Sequence, residues 1–221
     1  VQILSTNRAV ARPNPALRPE FTGHHKRPVA QLEVFDPGPR GGRHASGVAG
    51  DFIGDLEHHG GDMKAVYAAG REELDHWGRV LGRELPAGWL GENLTTTGID
   101  LPELVVGSRL RVGSALLQVS LARIPCRTFQ AVAGRSHWIR DFTRAQGAGC
   151  YLRVIEAGTI RPGDPIAIEH VPGHGVSVRE LFRARTLEPG LAGHVLAAAA
   201  DLDDHNVEIL RGRAVSPGAG E

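Results

Sequence analysis

The chain has 221 residues, 41% hydrophobic and 23% charged, enough for one large domain or a domain with an appendage. Lys+Arg 25 against Asp+Glu 25 gives zero formal charge, so nothing global argues for a nucleic-acid or membrane-surface partner. No apolar run approaches the roughly 18–20 residues of a membrane span, residues 1–10 lack a signal-peptide core, and two cysteines make no disulfide framework, so a reducing cytoplasm is the expected location.

Many glycines (29) and prolines (14) between short apolar runs predict a strand-rich fold with peripheral helices. Residues 1–4 read as a strand, 5–27 as a loop, 29–35 as one alternating strand, and 36–50 as a broken polar loop. A second loop covers 56–61 and a short strand 65–68. Leu74, Trp77 and Leu81 recur at helical spacing, with acids near the start and Gly82 as a stop, so 71–81 is the clearest helix. Residues 91–97 read as a polar loop or strand edge. Strands are expected next over 104–112 (with a Gly-Ser turn at 107–108) and 115–121, then a helix over 136–146 capped by Ser136. Trp77 and Trp138 are core by spacing, whereas Trp89 in its loop is a candidate pocket wall. Strands at 151–156 and 165–171 flank a turn-rich segment, 158–164. Residues 172–175 look like a linker, short helices are expected over 176–185, 191–200 and 203–211, and the tail after Arg213 is expected to fray. The architecture is a strand-rich unit over 1–171, preferably a barrel, with a helical appendage over 176–213.

Cys126 carries the strongest chemical signal. It comes after the strand at 115–121, and Pro125 ends the ladder before it. Arg123 and Arg127 flank it, and neighbouring cations favour the thiolate that a soft metal binds. The competing reading is a small buried core residue. Cys150, at the head of an apolar strand, reads as packing.

His58-His59-Gly60-Gly61 is a second candidate, because paired glycines let backbone approach a ligand and exposed N–H groups can cradle an anion. Lys64, three residues on, can pair with a phosphate; an ordinary turn is the alternative. A closed zinc site is not expected: there is no C-x-x-C, and His24-His25 and His58-His59 are adjacent pairs that point apart on a strand. Cys126 with His58, His59 or His137 could make a hydrolase nucleophile and base, but no cysteine-protease signature surrounds it.

Five segments in order resemble the MOSC family, the molybdenum-cofactor sulfurase C-terminal domain type. They are 22–29 (TGHHKRPV), 50–67 (GDFIGDLEHHGGDMKAVY), 91–94 (GENL), 119–129 (VSLARIPCRTF) and 158–164 (GTIRPGD). Residues 176–184 (VSVRELFRA) and the expected helices after them resemble the "3-alpha" tail of the bacterial stand-alone members. A departure is Asp62-Met63, where many relatives carry Pro-Asp. The resemblance implies a twisted β-barrel with peripheral helices and a molybdenum-pterin cofactor whose metal is ligated by Cys126. It also implies reduction of N-hydroxylated compounds (hydroxylaminopurines, amidoximes, hydroxylamines) by oxygen-atom transfer, a separate electron-donor redox protein, and a homodimer. Lys64, Arg123 and Arg127 become candidate partners of the cofactor phosphate, Lys26 a further cofactor-binding residue, His58, His59, Gly60 and Gly61 its cradle and proton relay, and Glu92 and Asn93 readers of the pterin edge. A sulfur carrier using a Cys126 persulfide, or a cofactor-binding protein without turnover, stand as alternatives.

Overall fold

In the computed structural model, which describes residues 1–147 and 149–215, strands form wherever apolar or hydroxyl side chains find a cross-strand partner. In chain order they are β1 (Gln2–Arg8), β2 (Arg12–Pro13), β3 (Phe21–Thr22), β4 (Arg27–Val29), β5 (Leu32–Val34), β6 (Val66–Gly70), β7 (Leu94–Thr97), β8 (Arg109–Val112), β9 (Ala115–Ala122), β10 (Cys150–Glu156), β11 (Gly158–Ile160) and β12 (Ile166–His170). The helices are α1 (Arg71–Leu81), α2 (Arg127–Ala133), α3 (Trp138–Ala145), α4 (Val178–Thr186), α5 (Ala192–Val195) and α6 (Asp204–Val215). No helix among the described residues is long and apolar enough to cross a membrane.

Eight strands form one mixed sheet in the order β12-β8-β9-β10-β6-β7-β1-β4. Its pairs are antiparallel except β6–β7, which are parallel because α1 crosses between them. A bridge between Gln2 and Pro165, with Ile3 N–H donating to Asp164 O at 2.9 Å, ties β1 to the entrance of β12 and curls the sheet into a barrel. Strands β5 and β11 pair separately, as do β2 and β3.

Several sequence expectations need correcting. Strand β1 runs on to Arg8, because Thr6 donates to Val29 O and Asn7 to Thr95 Oγ1, polar pairings that an apolar pattern cannot reveal. The strand expected over 29–35 breaks into β4 and β5, which belong to different sheets. Residues 94–97 are a buried strand rather than a polar edge, and 158–160 pair with β5. The strand expected from 104 begins only at Arg109, after the turn at Gly107. His137 in the left-handed region, not Ser136, precedes α3, and helix α2 has no counterpart among the expected elements. The expected helix over 191–200 is a 3-10 turn, α5 and a second 3-10 turn. Helix α6 continues through Val215, past the expected fraying point; residues 216–221 lie outside the described residues.

One buried apolar cluster runs from the strands into the tail helices. Trp77, Trp138, Phe129 and Phe142 form its aromatic centre, with Trp77 and Trp138 centroids 4.6 Å apart and Phe129 and Phe142 edge-to-face at 4.9 Å. Trp89 joins them at 5% exposure, so it is packing rather than an exposed wall. A capping box of Ser177 and Glu180 starts α4, and Val106 N–H donating to Val176 O stitches it to the barrel. Phe129, on helix α2, anchors the segment that carries Cys126.

Candidate functional site

Strand β9 delivers its chain into the core and ends at Ala122; Arg123 turns inward, Pro125 blocks further pairing, and Cys126 precedes the first turn of α2. Two adjoining cavities meet here. The inner one, about 110 Å³, lies among the 14–24 and 51–55 loops, β6 and Arg123. The outer one, about 870 Å³, is walled by the 58–64 loop, the 121–128 segment and the tail helices. Cys126 is half-buried and borders both, with Asp55, His59, Lys64, Thr128 and Tyr151. The thiol is therefore neither walled into the core nor loose on the surface.

Arg123 defines the inner end. Its guanidinium lies 3.9 Å from the Phe129 ring centroid. Nη2 donates to His24 Nε2 at 3.3 Å and to Leu90 O, while Nη1 is buried with no partner. His24 stacks on Phe129, and its Nδ1 is also buried and unpartnered. Burial first, then the Arg123 charge, holds His24 well below the ordinary imidazole value. Two residues that line the cavity thus each carry a buried polar atom without a partner, a feature that calls for an explanation such as a bound acceptor.

Asp51 organises the floor. One carboxylate oxygen accepts from Ala9 N–H at 2.7 Å; the other accepts from Ser46, Asn93 Nδ2 and Lys26 Nζ. Lys26 is consequently neutralised by a buried partner and is not a free phosphate contact. Asn93 lines the cavity, yet its amide also accepts from Tyr67 N–H and donates to Asn7 O, so it braces strands. Glu92 lines neither cavity. It is fully buried, Oε1 accepts from Gly88 N–H and Thr95 Oγ1, and burial pushes its carboxyl up to about 7. It is an internal brace rather than a pterin reader.

The His-His-Gly-Gly loop also differs from its expected role. Gly61 N–H donates to Ala45 O, His59 N–H to Asp55 O, and His58 N–H to Asp55 Oδ1, so these three donors are committed within the protein, while Gly60 lines both cavities. The glycines are required for packing: at Gly60 (φ +84°) a Cβ would stand 2.4 Å from Ala45 O, and at Gly61 2.6 Å from Arg40 N. His58 is exposed beside Asp55. His59 faces both cavities, but burial, then Lys64 and Arg123, lower it to about 4. It is a neutral hydrogen-bonding group near pH 7, not a proton carrier. Lys64 donates to His58 O at 2.8 Å and is lowered by burial and then by Arg40. Arg127 is exposed on the outer cavity only, and His137 lines neither.

Nothing in the sequence alone singles out His24, Asp51 or Tyr151 as site residues. Tyr151 borders both cavities, with its hydroxyl raised by burial, an effect Arg123 opposes. His24 and Asp51 fall inside motif segments but carry no signal of their own. Cys150 is fully buried, with its thiol pushed far up by burial, in keeping with packing.

A curled mixed sheet with a thiol where two cavities join defines a mainly β, ligand-cavity protein. A family model described as MOSC domain matches residues 55–167, and the chain belongs to the MOSC domain family. It is 32% identical over 158 residues to the uncharacterized protein YflK of Bacillus subtilis (strain 168), covering 72% of this chain and 68% of YflK. It is 35% identical over 83 residues to the protein YiiM of Escherichia coli (strain K12), covering 36% of this chain and 37% of YiiM. The crystal structure of YiiM from Geobacillus stearothermophilus superposes with a TM-score of 0.77 at 24% identity over 96% of this chain and 98% of that one. Escherichia coli YiiM gives 0.69 at 22% identity over 90% and 92%. Both likenesses concern the fold.

Proposed function

We propose that this protein holds a molybdenum-pterin cofactor with Cys126 as a metal ligand and reduces small N-hydroxylated substrates. The observation that carries the reading is the half-buried Cys126 thiol bordering a cavity lined by Arg123 and His24, whose Nη1 and Nδ1 are buried without partners. A thiol suits a soft metal, and buried donors suit the acceptor-rich edge of a pterin. When bound, the cofactor supplies oxygen-atom acceptance and two-electron transfer, with the balance R–NH–OH + 2 e⁻ + 2 H⁺ → R–NH₂ + H₂O and the electrons coming from a separate redox protein.

The chain's own groups have defined tasks. Arg123, pinned by Phe129 and Leu90, fixes positive charge at the inner end. His24 presents a neutral ring whose donor position is set by the Arg123 contact. Tyr151, protonated far beyond neutral pH, holds a proton at its phenol oxygen beside Cys126 for the departing hydroxyl. Apolar Ile124 and Ala65 line the inner cavity and limit water there.

Purification from a cofactor-producing host, metal and pterin analysis, and a hydroxylaminopurine reduction assay test the proposal. About one molybdenum per chain and reduction lost in Cys126→Ser are the expected results. Cyanide-labile sulfur on Cys126 without metal, or full activity in Cys126→Ser, would overturn it.

A further inference from the structure

Resting on the reductase reading for the identity of its ligand, we propose that the outer cavity is a substrate site for a molecule carrying a phosphate monoester. The tail-helix residue Arg185 clamps that phosphate together with Lys64 and Arg40. The substrate class is then an N-hydroxylated nucleotide rather than the bare base.

The tail helices are part of this wall. Arg185 on α4 and Asp203 to Asn206 at the start of α6 line the outer cavity opposite Lys64 and Arg40. Arg185 is half-buried; Nη1 donates to Asn206 Oδ1, and Nε is buried without a partner. Asn206 is in turn fixed by Asp203, which accepts from its Nδ2 at 2.6 Å and its N–H at 2.7 Å. The guanidinium is thus positioned by a neutral amide, and its charge is left for something else.

The charge balance of the cavity points the same way. Arg18, Arg40 and Arg127 have no ion pair or side-chain hydrogen bond among the described residues, and Lys64 holds the His58 carbonyl and lies 5.8 Å from the Tyr151 ring centroid but has no ion pair. Of the cavity's four acids, Asp62 is paired with Arg153 at 3.0 Å, while Asp55 and Asp203 accept from His58 and Asn206 and, with Asp204, keep their charge, so five cations (Arg18, Arg40, Lys64, Arg127 and Arg185) face three carboxylates without an arginine or lysine partner. Like charges face one another, since Arg40 and Arg185 both lower Lys64, and Arg213 adds to the burial that lowers Arg185; Asp203 and Asp55 only partly oppose this. Half-buried cations that repel one another are stabilised by an anion placed between them. A phosphate monoester, with close to two negative charges and three acceptor oxygens, matches an arginine fork plus a lysine point charge. With a volume of about 870 Å³, the cavity has room for a nucleotide beside Cys126 and Tyr151.

Calorimetric titration of the full chain, metal-free and loaded, with adenosine 5′-monophosphate and adenosine tests the site without turnover. The monophosphate is expected to bind roughly tenfold or more tighter than the nucleoside, and Arg185→Gln to remove that advantage. Arg111→Ala, among exposed β8 charges, keeps it. If Arg185→Gln does not fold, the exposed Arg40→Gln serves, with a several-fold loss expected. In the loaded enzyme, either variant raises KM for the N-hydroxylated nucleotide while kcat, and KM for the free base, stay unchanged. Equal affinity for nucleoside and nucleotide overturns the proposal, as does unchanged nucleotide binding in both variants. A fall in molybdenum and pterin content in Arg185→Gln also overturns it, since the cluster then serves the cofactor. Intact nucleotide binding with no reduction by the loaded wild type would sink the reductase reading and leave the phosphate site standing.

Discussion

Arg123 Nη2 meets His24 Nε2 at 3.3 Å, and because a guanidinium can only donate, the contact makes Nε2 the acceptor. The single ring proton of neutral His24 therefore sits on Nδ1, against Gly91 on the inner cavity wall. Burial and the Arg123 charge keep the ring neutral. Long-range ¹H–¹⁵N spectra of the apo protein should show His24 as the Nδ1–H tautomer, unchanged from roughly pH 5.5 to 8, across the ordinary imidazole range. A ring that titrates in that interval, or an Nε2–H tautomer, contradicts the arrangement.

Asp51 and Lys26 form a second tight relationship, with side chains 1% and 8% exposed. Removing one member of a buried pair strands the other charge, at a cost of about 3–5 kcal/mol. Lys26→Met should lower stability by about that amount in urea melts. Adding Asp51→Asn should recover part of the loss, since the amide can still accept from Ala9 N–H. A double variant at least as unstable as the sum of the single ones would show that the two do not act as a pair.

Periodicity exposes the parts of this fold that bury apolar stripes. Helix α1, strand β9 and the tail helices are visible because Leu74, Trp77, Leu117, Val119 and Leu181 repeat at the spacing of their elements. Strands β1 and β7 are blurred because Thr6, Asn7, Thr95 and Thr96 are buried polar residues whose partners lie far away in sequence. At the site, Cys126 and Arg123 are legible from the Pro-Cys turn and its flanking charges. Lys26, Asn93 and Glu92 mislead for the opposite reason: residue type advertises a charge or amide, but only the fold shows that Asp51, Tyr67 and Gly88 already hold them. At Gly61 the N–H is likewise already held, by Ala45 O, because the 38–45 loop that packs on the glycine pair is distant in sequence.

That packing makes a paired glycine test. Gly82 ends α1 at φ +66° with open space around the position of a Cβ, so Gly82→Ala should cost only backbone strain, about 1 kcal/mol. Gly60 has φ +84° and a carbonyl 2.4 Å from that position, so Gly60→Ala must also displace the Ala45 backbone. Its cost should exceed that of Gly82→Ala by about 2 kcal/mol or more, and it should disturb both cavities. Thermal melts of the two variants give the comparison; equal losses would mean that the 38–45 loop yields freely.

Glu92 offers a test with a definite sign. Burial raises its carboxyl from about 4.5 to about 7, and Oε2 has no partner. Between those values the folded protein keeps a proton that the unfolded chain has released, so this group's contribution falls as pH rises and is fully lost above about 7. Glu73, also raised to about 7, acts in the same direction. His59, lowered to about 4, acts in the opposite one, because the unfolded ring binds a proton below about 6.5 while the folded ring does not. The wild-type profile mixes these slopes, so the difference between wild type and Glu92→Gln is the informative quantity. The introduced amide would keep an oxygen for Gly88 N–H and Thr95 Oγ1 but lose the titration. Urea melts should show Glu92→Gln gaining on wild type by on the order of 3 kcal/mol between about pH 5 and 8. A constant offset across that interval would mean that the carboxyl is already ionised in the fold, with its charge balanced by neighbours.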